Sequence, residues 1–345
     1  MSLLTADNLS YYLIEKGYVS RESIVESDYL VIDYRRRNRN FKVIRRNYPS
    51  YFVKQVLKPE PEPISTLARE ASCYWLAQTQ PELAGWRAIA PRFVGFDRDQ
   101  HVLVVELLAG SETLVDRFRR EGSLSEAIAA EAGTMLAGYH TRAGAWLMES
   151  QFRQVFSRVT PWILALHLTQ PEHFPVLSAG NRVLHDIVKA DVELPAKLDA
   201  LRAEWQVNSL LHGDIKWENF LIQPGNGTGS LKLVDWEMAD LGDARWDAGA
   251  FLQTFLVFWV LFDQPTPMHA SIRAFWEAYR QGRQLENPEE FLMGSIRFGA
   301  ARLIQSAFEC LYYAETITAK AVTLLQLSLN ILKDARAARS MLLGL

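Results

Sequence analysis

Between Tyr29 and about Leu57, apolar and polar positions alternate with a period of two. Turn-forming residues break the run at 36–40 and at Asn47-Tyr48-Pro49-Ser50. This pattern predicts three antiparallel strands, the third over residues 51–56. Upstream, residues 1–16 are amphipathic at helical spacing, started by Thr5 or Asp7 and stopped at Gly17. After the proline-rich stretch 59–63, Leu67, Ala71, Tyr74 and Trp75 recur at helical spacing, which predicts a helix from Ile64 capped by Ser65 or Thr66. Residues 101–105 read as a further strand. Beyond Gly110 the pattern turns predominantly helical, with a capped start in Ser123-Leu124-Ser125-Glu126 and a run through His140. Two short β-type runs, 220–222 and 231–234, flank a turn at 224–230. They predict a hairpin with Asn219 at its start and Asp235 at its end. The most apolar stretch, 255–262, predicts a buried helix, and 322–343 a closing amphipathic helix or helix pair.

Composition narrows the classes. A chain of 345 residues is long enough for two lobes with substantial cores, and its 10 Trp and 17 Phe argue against disorder. A formal net charge of −3 supplies no global field toward nucleic acid or a membrane. The one basic stretch, 35–39, contains no recognisable nucleic-acid reading motif. The eight residues of 255–262 are too few to span a bilayer. Cys73 and Cys310 are far apart and lack ligand spacing, so neither a disulfide framework nor a zinc site is expected, and a reducing, cytoplasmic compartment is. Residues 1–16 carry no basic patch followed by an apolar core, so no export signal is expected. Asn226-Gly227-Thr228 fits a glycosylation pattern but in a cytosolic chain is a turn.

Candidate chemistry concentrates in His212-Gly213-Asp214-Ile215-Lys216-Trp217-Glu218-Asn219 and, sixteen residues after Asn219, in Asp235. An Asp, an Asn five positions on and a second Asp beyond a hairpin are what kinase-type phosphoryl transfer requires. One carboxylate orients the attacking hydroxyl, while the amide and the other carboxylate hold the magnesium that bridges nucleotide phosphates. Asn219 and Asp235 are hard oxygen donors, the ligand type magnesium prefers. Glu237 either binds a second metal, directly or through water, or is a surface acid. Lys54 lies inside the apolar run of the third strand, where an unpaired ammonium is costly. Either it points to water from an edge strand or it has a partner. Glu70, beside the apolar stripe of the next helix, is the expected partner, with Glu82 the weaker competitor.

His-Gly-Asp-x-x-x-x-Asn with a downstream Asp-Trp-Glu resembles the aminoglycoside phosphotransferase and choline kinase group, distant relatives of protein kinases. The resemblance runs from about Tyr29 to about Phe251. It implies an α+β, two-lobed protein-kinase-like fold: a nucleotide-binding lobe over 1–108, with a small antiparallel sheet plus a helix, and a larger, mostly helical lobe over 109–345. It further implies an enzyme that uses ATP or GTP and Mg²⁺, with Lys54 on the α- and β-phosphates and Glu70 holding it. Asp214 would be the base and Lys216 would steady the transferring phosphate. Glu106 and Leu108, at the hinge, would bond the adenine through their backbone. His212 would brace the loop, and His140 is a packed structural histidine. The acids of Gly242-Asp243-Ala244-Arg245-Trp246-Asp247 would anchor the catalytic loop and cap the next helix. The sequence departs from the family in the loop between the first two strands, which has no glycine but several arginines. Arg37 and Arg39 either contact the triphosphate or form a solvated basic hairpin or a docking site. No room exists for a protein-kinase activation segment, since Asp243 follows Asp235 by eight positions. The expected acceptor is a hydroxyl-bearing small molecule such as an antibiotic, amino alcohol or sugar. The alternatives are a Ser or Thr of a peptide in natural-product maturation, or a non-catalytic ATP-binding scaffold.

Overall fold

A computed structural model describes residues 3–34, 38–170, 178–224, 230–341 and 343–345. The chain opens with two short helices, α1 (Leu9–Glu15) and α2 (Arg21–Glu26), then β1 (Leu30–Asp33), β2 (Arg39–Ile44) and β3 (Tyr51–Gln55). α3 (Pro61–Thr79) and α4 (Ala84–Ile89) lead to β4 (Phe93–Asp97), β5 (Val102–Glu106) and the two-residue β6 (Glu112–Thr113). Helices α5 (Leu114–Glu121), α6 (Glu126–Gly138), α7 (Gly144–Glu149), α8 (Ala179–Ala190) and α9 (Leu194–Ala203) follow. Four short strands come next: β7 (Ser209–Leu211), β8 (Phe220–Ile222), β9 (Leu231–Leu233) and β10 (Asp240–Gly242). Helices α10 (Ala244–Leu261), α11 (His269–Arg283), α12 (Pro288–Glu309), α13 (Ala319–Lys333) and α14 (Ala335–Met341) complete the chain. This is the α+β, kinase-like architecture, with a small antiparallel sheet and a mostly helical remainder. Among the described residues no helix is long and apolar enough to cross a membrane.

Contacts divide the chain into two compact units. The first comprises Met1–Asp116 with Glu218–Ala239, the second Arg117–Trp217 with Asp240–Leu345. In the first, five antiparallel strands are ordered β1-β2-β3-β5-β4. Alternation along the strands sends Phe41, Val43, Tyr51, Val53, Val102 and Val104 to one face. There they meet Leu9, Tyr12 and Leu13 of α1. Leu9 and Leu13 are wholly buried, each contributing roughly 1.5–3 kcal/mol by the usual scale for burying such a side chain. The same alternation sends Lys54 to the opposite face. A second, three-stranded sheet is ordered β6-β8-β9.

In the second unit, α6 packs on α11, while α10, α12 and α13 stack against one another. The approach of α10 to α12 is close because glycines face each other. A Cβ on Gly249 would lie 2.2 Å from Ser295 O and 2.8 Å from Gly299 N. β7 and β10 pair antiparallel, Leu210 opposite Leu241.

Several boundaries differ from expectation. α3 begins at Pro61 rather than Ile64 and Glu60 is its N-terminal flank, so neither Ser65 nor Thr66 caps it. Proline is tolerated in a first turn, where its missing N–H would have no helical partner anyway. β4 lies outside the sequence expectation; Gly95 and a register shift between Phe93 and Gly95 obscure its alternation. His101 is in a left-handed turn, φ 51°, so β5 starts one residue later than expected. The helix expected to run through His140 changes to a π turn over Tyr139–Ala143. The apolar stretch 255–262 does form the end of a buried helix, α10, and the C-terminal pattern resolves into the pair α13 and α14.

Gly249→Ala should force α10 and α12 apart and cost about 1–3 kcal/mol. The check is the midpoint of urea unfolding, with the slope of the transition unchanged.

Candidate active site

β3 and α3 supply the first half of the site, within the first unit. Lys54 Nζ lies 2.8 Å from both carboxylate oxygens of Glu70 and 2.5 Å from Asp235 Oδ1. Glu70 is fully buried and Lys54 only 8 % exposed. Tyr74, one helical turn after Glu70 on the same face, closes the group. Its hydroxyl donates to Glu70 Oε1 at 3.2 Å and accepts the Asp235 N–H at 3.1 Å. Asp235 has left-handed backbone angles, φ 71° and ψ 54°. A non-glycine residue held there costs on the order of 1–3 kcal/mol, and its surroundings must fix it. The β8–β9 hairpin delivers both oxygen donors to one end: Phe220 pairs with Leu233, and Val234 N–H continues the pairing to Asn219 O at 3.0 Å.

Burial alone would make the Lys54 ammonium easier to deprotonate. The carboxylates of Glu70, Asp235 and Glu237 outweigh it and hold the ammonium well above its usual range. Burial pushes Glu70 up to about 7 against the pull of Lys54, with Asp235 and Glu237 adding to the push. Three carboxyl groups stand around one ammonium, so acids outnumber the cation. The oxygens of Glu70, Asp235 and Glu237 lie within 4.8 Å of one another. All-oxygen donors in which acids outnumber the cation fit a hard divalent ion such as magnesium. Glu70 is buried, whereas Asp235 and Glu237 are only partly buried, so these two would be the carboxylates more open to it.

The second unit carries Asp214. Gly213, at φ 80°, bends the chain after β7 into a conformation that suits glycine. His212 is fully buried and its Nδ1 accepts the Asp214 N–H at 3.3 Å, so it braces the loop. Lys216 Nζ sits 2.5 Å from Asp214 Oδ2. Arg302 of α12 reaches Oδ1 at 3.5 Å, and its guanidinium lies over the Trp246 ring at 5.5 Å. Burial works to protonate Asp214, but Lys216 and Arg302 carry it well below the usual carboxylate range. The loop backbone hangs on Asp247 of α10, which accepts the N–H of His212 at 2.6 Å, that of Gly213 at 3.1 Å and the Tyr139 hydroxyl at 2.7 Å. Asp243 caps α10 by accepting the Arg245 N–H at 3.0 Å.

The other expected positions are distributed more widely. Glu106 ends β5 and its side chain accepts the Arg92 N–H at 3.2 Å; Leu108 is buried and its carbonyl accepts the Ser111 N–H at 3.3 Å. Arg39 begins β2 opposite Gln55, whereas Arg37 lies outside the described residues. Glu82 is exposed. Sequence reasoning missed two contributors. Tyr74 was visible only as part of an apolar stripe, although its i, i+4 spacing from Glu70 carried the signal. Arg302 stands 88 positions from Asp214, and no local pattern marks it.

Tyr74→Phe should leave the Asp235 N–H without its partner and take one of two donors from Glu70 Oε1, lowering stability by roughly 1–3 kcal/mol, read by chemical denaturation. A pH prediction follows from Asp247. Burial disfavours its charge, but the hydrogen bond from His140 and its other donors hold it below its usual value. A carboxyl lowered on folding contributes stability above its unfolded value, about 3.9, and loses it as pH falls through the lower folded value. Thermal unfolding from pH 6 to pH 2 should therefore show a steeper acid loss in the parent than in Asp247→Asn.

Residues 30–285 match the phosphotransferase enzyme family. Among solved structures, an ethanolamine kinase from Plasmodium vivax aligns with a TM-score of 0.58 at 13 % identity, covering 92 % of this chain and 86 % of its own. The choline kinase LicA from Streptococcus pneumoniae aligns at 0.50 and 16 % identity, covering 93 % and 99 %. A type I macrolide 2'-phosphotransferase aligns at 0.50 and 15 % identity, covering 94 % and 99 %. A comparison with curated proteins finds no match. At these identities the structural likeness establishes the kinase-like fold, and the family match extends over most of the chain. The chain belongs to the phosphotransferase enzyme family and is an enzyme that phosphorylates a hydroxyl group.

Proposed function

We propose that the protein moves the γ-phosphate of ATP to a hydroxyl of a small molecule and depends on Mg²⁺. The observation that carries this reading is the buried Lys54 ammonium fixed between Glu70 and Asp235. A cation so held has a set position and a permanent charge, which is what binding the donor phosphates requires. Glu106 and Leu108 offer backbone groups to the adenine. Asn219, Asp235 and Glu237 would hold magnesium, which neutralises charge developing on the phosphate oxygens. Asp214 positions the acceptor hydroxyl. As the acceptor oxygen bonds to the γ-phosphorus, the bond to the bridging oxygen breaks, ADP departs with that electron pair, and the hydroxyl proton passes to Asp214. The two cations beside Asp214 keep it anionic, so the base is ready at neutral pH without an elevated pKa. Lys216 would also steady the phosphate in transfer.

The structural neighbours named as acting on choline, ethanolamine and macrolides support a small hydroxyl-bearing acceptor. A panel of amino alcohols, sugars, macrolides, aminoglycosides and Ser- or Thr-containing peptides, each read for a mass gain of one phosphate, tests this. Phosphorylation of peptides alone would overturn the small-molecule assignment.

Asp214→Asn should lower kcat by roughly 10²–10⁴-fold, the usual scale for losing a general base, while nucleotide affinity stays within about threefold. Turnover by Asp214→Asn equal to the parent would remove Asp214 from its role.

A further inference from the structure

A second candidate site lies in the helical unit. An open surface depression of about 410 Å³ is lined by Arg283, by the exposed Thr141, Asn208, Gln284 and Glu286, and by the fully buried His140. Its size admits a small metabolite that remains partly in solvent. Arg283 is the last residue of α11, half-buried, and its guanidinium makes no hydrogen bond or ion pair among the described residues. Its charge is nonetheless felt by two buried neighbours. It opposes protonation of His140, in the same sense as burial, and it favours ionisation of Tyr279, where burial acts more strongly in the other direction. A guanidinium carries a fork of N–H donors that matches an oxyanion in two places. Asn208 adds an amide at the rim. Its Oδ1 already accepts the Ala244 N–H at 3.2 Å, which fixes the orientation of the side chain. Glu286 is exposed on the same rim, and its carboxylate opposes a bound anion.

Two connections lead from this depression to the catalytic loop. Asp247 can only accept, so His140 Nε2 carries the proton directed at it, 3.4 Å away, and Nδ1 accepts from the Tyr279 hydroxyl at 2.9 Å. Asp247 is the same carboxylate that holds the His212 and Gly213 N–H groups. Asn208 provides the other path. It immediately precedes β7, the strand that runs into His212, and Ser209 next to it donates its hydroxyl to His140 O at 2.8 Å. Neither path passes through the residues proposed to bind nucleotide.

We propose that this depression is an effector site for a small oxyanion, a carboxylate or a phosphate, bound by Arg283 and coupled through His140 and Asp247 to the loop bearing Asp214. The coupling is reciprocal: whatever fixes the loop also changes the affinity for the anion.

The full chain is titrated separately with inorganic phosphate and with succinate by calorimetry at fixed ionic strength. At least one anion should bind at millimolar concentration, and the stronger of the two arms identifies the chemistry. Arg283→Gln should weaken that binding about tenfold or more. Ala145→Phe, which fills the depression from an exposed wall position without altering charge, should do the same. Hydrogen exchange at the His212 and Gly213 amides should change on anion addition in the parent and not in Arg283→Gln. Binding by neither anion, or binding of equal strength in the parent and Arg283→Gln, overturns the proposal. Anion binding without any change at those two amides overturns the coupling. Since binding and exchange are read without turnover, these outcomes are independent of the proposed transfer reaction.

Discussion

A single ammonium shared by three carboxylates is the constraint on which the first unit depends. Removing charges from water costs several kcal/mol per ion even after relaxation, and attraction offsets it only where geometry and additional hydrogen bonds are good. Lys54, Glu70 and Asp235 meet that condition with help from Tyr74, whose hydroxyl contacts both acids at once. The group also ties together elements that are remote in sequence: β3, α3 and the end of the β8–β9 hairpin. Burying such a charged group is a costly way to hold three elements together, and the left-handed conformation of Asp235 adds to that cost.

Asp247 has a comparable position in the helical unit. Its two oxygens accept three well-placed donors, two of them backbone N–H groups of consecutive residues, His212 and Gly213. Consecutive N–H groups pointing at one carboxylate require a sharply bent backbone, and Gly213 provides the bend. The π turn at Tyr139–Ala143 brings Tyr139 and His140 to the same carboxylate. One extra residue in a helical turn re-aims side chains that regular spacing would separate. The loop is therefore fixed through its main chain, while the Asp214 side chain is paired separately with Lys216 and Arg302.

The difference between what could be read in the sequence and what could not follows from the range of each interaction. Asp214, Lys216 and Asn219 were legible because their relations are set by a few residues of loop. Asp235 joined them because two short β-type runs imply a hairpin whose ends meet. Lys54 and Glu70 were legible for a different reason: a charge inside an apolar run demands a partner, and few candidates existed. Arg302 had no such mark. An arginine on a long helix is ordinarily solvated, and only the three-dimensional packing of α12 makes this one 4 % exposed. The start of α3 was obscured by prolines that signal a linker as readily as a first turn. The site was thus readable where local spacing or a charge in apolar surroundings constrained it, and unreadable where a partner came from a distant helix.

The two units balance their charged side chains differently. Around Lys54 the carboxylates outnumber the cation, so added positive charge is favoured and Glu70 is held reluctant to ionise. Around Asp214 two cations, Lys216 and Arg302, face Asp214 itself and the neighbouring acid Glu309. There the Asp214 carboxylate is held as an anion. A metal-binding group needs the first condition, since a fully neutralised set of carboxylates attracts a divalent ion only weakly. The surplus of acids around Lys54 does not lower the energy of the isolated fold, because like charges held together in a buried setting repel one another. It is relieved only when positive charge arrives, and for this reason the charge pattern, more than the strand and helix layout, distinguishes such a cluster from a stable core of the same shape.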